Sequence, residues 1–373
     1  MLYIHIPYCH HKCTYCGFYS VAGRNDMESY VEAVCKELGM RSCGEHLKTI
    51  YFGGGTPSLL PLPLIRRIVG TIRDCFDVSK LEEVTIEANP ENLTPEYLAE
   101  LYDLHFFNRI SIGVQSFHDK ELHTLNRVHN VHQAIAAVVN TERAGFNNVS
   151  IDLIMGLPGQ TADSWKKNLD TVGELLKLNC VRHLSCYELT VESGSILERQ
   201  LRMGRVELSS DEVLVAQYQI LLDWCMENGF VQYEVSNFCI PGWHSRHNSR
   251  YWNRTPYLGV GAAAHSFDGT MRRWNIADTK RYISGVMSGS IPCEKEMLTD
   301  DDAYNEYVMT SLRTVTGIEK AMVAEKYRNY LSQKIYPFVN NGFVTETQTH
   351  YRPTAEGLIR ADGIAASLFY SKG

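Results

Sequence analysis

No apolar run in the sequence approaches the roughly 18 residues that a transmembrane helix needs. Nor does the N-terminus show a basic start followed by an apolar stretch and a cleavage site. Neither a membrane span nor a secretory signal is therefore expected, and the expected location is cytoplasmic. Basic excess is missing too: 36 Lys and Arg face 43 Asp and Glu, for a net charge of −7. That balance argues against bulk nucleic-acid binding. There is no internal repeat and no low-complexity linker. A disulfide framework is absent as well, because the 11 cysteines are odd in number and scattered through 373 residues. This usage fits a reducing compartment, with any clustered cysteines kept for metal.

One such cluster exists. In CHHKCTYC, Cys9, Cys13 and Cys16 stand at C-x3-C-x2-C spacing, and the next cysteine is Cys35. A centre with four binding positions would find only three cysteines here. Soft thiolates suit both zinc and iron–sulfur. Zinc would need His10 or His11 as its fourth ligand, whereas the short first spacing beside a strand favours a cluster. The other eight cysteines read as small buried hydrophobes.

The remaining composition, 44% hydrophobic and 21% charged, is that of a globular chain with an ample core. Apolar β-type runs alternate with amphipathic stretches. Strands are expected at 2–7, 48–52, 82–89, 109–115, 149–156, 181–189 and 230–238, and helices over 26–40, 62–76, 94–104 and 162–178. The strands are almost continuously apolar, as in a parallel sheet covered by helices. Six successive βα units predict an α/β fold, a TIM-type barrel or part of one, with a doubly wound open sheet as the alternative. Thr94 followed by Pro95 and Glu96 reads as one helix start, and Thr299 with Asp302 as another. We place a barrel over 1–235, an extension over 236–290 and a further domain over 291–373. That last segment reads as helices followed by a short hairpin, a small winged-helix-like α+β domain. Its nine Lys and Arg against eleven Asp and Glu speak for packing or a lid, not for phosphate binding.

In a (β/α) barrel the chemistry sits at the C-terminal ends of the strands. The three cysteines follow the first strand and GGGTPS, residues 53–58, follows the second. Glu87 follows the third, Gln115 the fourth, and Asp152 sits on the fifth. Singly, the glycines could be a tight turn and the two acids barrel-end ion-pair partners. A polar group at each of five strand ends is harder to attribute to packing.

Together these residues resemble the radical S-adenosylmethionine (SAM) superfamily, in which three cysteines hold three irons of a [4Fe–4S] cluster and SAM occupies the fourth. YIHIPYCHHKCTYC, YFGGGTPS, EANPENL, RISIGVQSF, LNRVH, DLIMGLPGQT and LGVGAAAHSF are similar to the branch around oxygen-independent coproporphyrinogen III oxidase, over nearly the whole chain. The resemblance implies a partial (β/α)6 barrel, with Tyr3, Gly54, Gly55, Thr56 and Glu87 lining a first SAM site. Tyr15, Gln115, Arg127 and Asp152 would fall at a second. Two departures stand out: Phe18 occupies the position of a further oxidase cysteine, and Met1 lies just before the motif strand where the oxidase carries an extension. The Phe18 pattern resembles HemW-type heme chaperones.

HNSRYW, residues 247–252, is similar to a heme-associated signature of that group. It implies His247 as an iron ligand, with His244 and His265 as competitors, and Tyr251 and Trp252 as flat surfaces for a porphyrin. The reading that follows is a heme chaperone with [4Fe–4S], SAM and heme, acting as a monomer or weak homodimer. It would pass heme to acceptor hemoproteins, membrane respiratory enzymes among them. The alternatives are a coproporphyrinogen III oxidase and a zinc hydrolase.

Overall fold

The structure is a computed structural model that describes residues 1–23, 25–42, 44 and 46–371. Six parallel strands form its centre: β1 (Leu2–Ile6), β2 (Thr49–Gly54), β3 (Glu83–Ala88), β4 (Arg109–Gln115), β5 (Val149–Met155) and β6 (Val181–Glu188). They neighbour one another in chain order, with Leu2 opposite Ile50, Ile50 opposite Val84 and Ile110 opposite Val149. Both faces are covered. Leu2, Ile4 and Ile6 are solvent-free on one face, while on β5 every residue but the half-buried Asp152 is buried. This explains their unbroken apolar sequences.

Helices fill the crossovers, giving a partial (β/α)6 barrel. The Leu62–Cys75 helix turns Leu64, Ile65, Ile68, Val69 and Ile72 inward, the i, i+3, i+4, i+7 spacing of a one-sided stripe. Thr94 caps its helix through Tyr97 N at 3.2 Å, and Thr299 with Asp302 forms a capping box. Such caps contribute about 1 kcal/mol each.

Two edges differ from expectation. The run 230–238 is not one strand but two antiparallel ones, Val231–Glu234 and Asn237–Cys239, the second antiparallel to β6. Its alternating pattern passes straight through the turn, with no Gly or Pro to mark it. The turn is held instead by Glu234, which accepts from Ser236 N at 3.1 Å and from the Asn237 amide. At the opposite edge Leu258–Val260 pairs in parallel with β1, a strand too short to stand out in sequence.

The N-terminal end of the barrel is closed by the Arg246–Trp252 helix. Glu83, at the first position of β3, accepts from Arg246 N at 2.8 Å, His247 N at 3.0 Å and Ser245 Oγ at 3.3 Å. A carboxylate thus satisfies the orphan amides of a helix start. Ser245, His247, Thr49 and His183 are solvent-free here. The last segment has its own core, including Tyr304, Val308, Leu312, Leu331 and Ile364. Helix Asp300–Leu312, strand Ile318–Glu319, helix Glu325–Asn340 and the hairpin Val344–Glu346/His350–Pro353 follow the order of a winged helix. Among the described residues no helix is long and apolar enough to cross a membrane. Of the eight cysteines outside the motif, four are buried, Cys35, Cys75 and Cys293 are half-buried, and Cys43 lies outside the described residues.

Candidate functional site

A cavity of about 430 Å³ opens at the C-terminal ends of the strands. Its first wall is the loop after β1, which carries Cys9, Cys13 and Cys16. Three bonds pin this loop to the segment before Arg127: Thr14 N to Leu125 O at 3.2 Å, Thr14 Oγ1 to Thr124 O at 3.2 Å, and Asn126 Nδ2 to Lys12 O at 3.0 Å. The second wall is Gly54, Gly55 and Thr56 at the end of β2. Gly54 has φ +113°, and a Cβ there would lie 2.6 Å from the His5 ring. At Gly55 a Cβ would lie 2.8 Å from the backbone of Pro7 and Tyr8. The backbone approaches this closely because Gly55 N bonds Ile6 O and Thr56 N bonds Tyr8 O, both at 2.8 Å. Only glycine permits it.

Acids line the floor. Glu87 accepts from Tyr51 Oη at 2.8 Å and from Gly54 N at 3.2 Å. Burial raises its carboxyl to about 7, against the pull of the Tyr51 bond, and the Asp152 charge adds to the rise. Asp152 accepts from Ser111 Oγ and Ser150 Oγ, each at 3.0 Å, and burial lifts it as well. Gln115 ends β4 at φ +68° beside a register shift. A non-glycine residue held in the left-handed region at a strand end is a feature found at ligand sites. Arg127 reaches in with Nη1 3.5 Å from Cys13 Sγ and Nη2 2.7 Å from both Asn89 Oδ1 and Gly113 O.

The cavity therefore brings together Cys9, Cys13, Cys16, Tyr15, Gly54, Gly55, Thr56, Glu87, Gln115, Arg127 and Asp152. Tyr3 stands outside it, its hydroxyl 3.2 Å from His5 Nδ1 and its ring stacked on Tyr51. Sequence reasoning passed over Tyr51, Asn89 and Ser111. EANPENL holds Asn89 and YFGGGTPS holds Tyr51, but nothing in the spacing ties them to Arg127 or Glu87.

The donor set suits a cluster. Cys9 and Cys16 are raised first of all by burial, with further contributions from neighbouring thiolates. A strong positive charge, which iron supplies, favours their thiolates. Among the described residues no three His, Cys, Asp or Glu side chains stand close enough to hold one metal ion, the set a zinc hydrolase would need. A cluster asks less, since each cysteine binds its own iron. The acids Glu87 and Asp152, opposite Arg127, provide partners for a ligand that carries cationic groups and a carboxylate.

The HNSRYW residues lie elsewhere. The motif forms the barrel-closing helix, not a loop. His247 is solvent-free, with Nδ1 2.9 Å from Thr49 Oγ1 and Nε2 3.1 Å from Tyr251 Oη. Both ring nitrogens are thus engaged, and burial lowers its pKa to about 3. Its ring lies 5.2 Å from that of Tyr51, which separates it from the cavity. Trp252 faces Arg313 of the last segment at 5.4 Å. His265 stacks on Trp274 and His244 packs against Tyr233.

A partial parallel barrel with three cysteines after its first strand and a glycine-rich second loop defines a radical SAM protein. The profile of the Radical SAM superfamily matches residues 3–172, and that of the HemN C-terminal domain matches residues 298–360. Within that class the chain belongs to the HemW family. It is 35% identical over 88% of its length to Heme chaperone HemW of Lactococcus lactis subsp. lactis, covering 84% of that protein. It is 34% identical over 87% to Heme chaperone HemW of Bacillus subtilis, covering 86%. With Heme chaperone HemW of Mycobacterium tuberculosis it shares 32% over 98%, covering 94%. Among solved structures, coproporphyrinogen III oxidase (HemN) of Escherichia coli, a radical SAM enzyme, superposes with a TM-score of 0.84 at 24% identity. That superposition covers 99% of this chain and 89% of the oxidase; at this identity it speaks for the fold.

Proposed function

We propose that this chain is a heme chaperone on a radical SAM scaffold, binding heme and transferring it to acceptor apoproteins in the cytoplasm. Acceptors would include respiratory hemoproteins reached at the membrane surface. The observation that carries the reading is the near full-length similarity to three bacterial proteins named heme chaperones. Phe18 supports it, standing exposed at the cavity in the position where the resemblance to the oxidase implies a further cysteine.

Cys9, Cys13 and Cys16 would hold the [4Fe–4S] cluster. Gly54, Gly55, Thr56 and Glu87 would receive a first SAM, and Tyr15, Gln115, Arg127 and Asp152 would face a second. When bound, the cluster supplies a one-electron donor beside a sulfonium. Gln115 and Asp152 extend the polar wall away from the cysteines. Use of His247 as heme ligand requires the Arg246–Trp252 helix to leave the barrel end, opening the bonds to Thr49, Tyr251 and Glu83.

The test is a heme titration of anaerobically reconstituted protein, with iron and sulfide counted in the same sample. Transfer to an apo-hemoprotein is followed next. Saturable binding and transfer are expected; a full cluster with no heme binding refutes the reading. The oxidase alternative is favoured by one observation, that Gln115, Arg127 and Asp152 all line the cavity. Anaerobic turnover of coproporphyrinogen III with SAM would establish it.

A further inference from the structure

We propose that Asn89 is the joint of a continuous hydrogen-bond chain from Cys13 Sγ to Cys9 Sγ, and that it thereby sets how readily a cluster on those cysteines accepts an electron. The inference rests on the cluster half of the reading above.

The chain has four links. Arg127 Nη1 donates to Cys13 Sγ at 3.5 Å, and Nη2 donates to Asn89 Oδ1 at 2.7 Å. Asn89 Nδ2 donates to Thr56 Oγ1 at 3.2 Å, and Thr56 Oγ1 donates to Cys9 Sγ at 3.6 Å. Its direction is fixed by chemistry. Arginine only donates, so it must face the amide oxygen. The second proton of Nδ2 goes to Glu91 Oε1 at 3.3 Å, and an ionised carboxylate only accepts. The amide can therefore stand one way round. Thr56 Oγ1 then receives a proton from Asn89, and its own hydroxyl proton is left for the sulfur.

Asn89 is held apart from this chain as well. Its backbone N donates to Ser58 Oγ at 3.2 Å, and it follows directly on β3, which ends at Ala88. Asn89 itself touches no cysteine and is a positioning residue. Hydrogen bonds to ligating sulfur stabilise the electron-rich state of a cluster and so raise its potential.

The experiment is a dithionite titration of the anaerobically reconstituted full chain, without SAM or heme, read by electron paramagnetic resonance. Asn89→Ala and Thr56→Val should each make reduction roughly tenfold harder, a fall of about 59 mV for one electron. Thr56→Ser should keep the wild-type potential. The double variant should fall no further than either single one, because both changes break one chain. An Asn89→Ala protein with full iron and sulfide at the wild-type potential overturns the proposal, as do additive effects. If Asn89→Ala holds no cluster, equal potentials for Thr56→Val and Thr56→Ser overturn it instead. A wild-type chain that binds no cluster fails the cluster reading itself, an outcome that the iron and sulfide count identifies.

Discussion

If Glu87 receives a cationic group of SAM, as proposed above, SAM binding becomes a function of pH. The carboxyl is raised to about 7 by burial, so near neutrality it is only half ionised, whereas a cationic ligand needs the carboxylate. Below 7 binding has to expel a proton, and each unit costs a factor of ten, about 1.4 kcal/mol. The ionised fraction falls roughly eightfold between pH 7.5 and 6.0, and affinity for SAM should fall with it. The sign for folding is also set. The folded chain binds the extra proton between the ordinary carboxyl value of 4.5 and about 7, so this residue's contribution to stability declines as pH rises through that window. Equilibrium dialysis of labelled SAM against reconstituted protein measures the effect, with iron and sulfide counted at each pH. Glu87→Gln should bind roughly tenfold more weakly at pH 7.5, the loss of one charge-assisted contact, and show no slope. A flat wild-type profile from 6.0 to 7.5, or an equal slope in the Gln variant, refutes the argument.

Cys13→Ala should abolish the cluster signal while leaving the circular dichroism spectrum unchanged, because the loop is also held by Thr14 and Asn126. Gly55→Ala forces a Cβ to 2.8 Å from Pro7 backbone and should cost about 1–3 kcal/mol in urea unfolding, with reduced iron content. His247, lowered to about 3 by burial, binds fewer protons folded than unfolded. Its contribution is lost as pH falls below 6.5, so between pH 7.5 and 5.5 wild type should lose about 1.4 kcal/mol more stability than His247→Gln does. Glu83→Gln weakens the charge that holds the barrel-closing helix. It should speed amide exchange at residues 246–252 and, if His247 ligates heme, quicken heme uptake measured by stopped flow.

The sequence was most readable where one force dominates locally. Continuous apolar runs revealed β1 to β6 because both faces of a parallel sheet are dry. Three cysteines within eight residues marked the centre because their ligand chemistry is local too. The polar surroundings were less legible. Asn89 matters through Arg127 and Thr56, 38 and 33 positions away, and no spacing rule connects them. Tyr3 was placed at the cavity from likeness alone, yet its hydroxyl turns to His5. HNSRYW suggested an accessible ligand, but Glu83, 164 residues before His247, draws the helix into the barrel. The hairpin near 235 went unseen because Glu234 makes the turn that Gly or Pro would usually announce.

The helix that seals the N-terminal end turns the barrel into a cul-de-sac. Glu87 and Asp152 share the cavity with the cysteine loop and with Phe18, at the end of the strands opposite the sealing helix. A molecule bound against Phe18 would therefore neighbour one bound at Glu87.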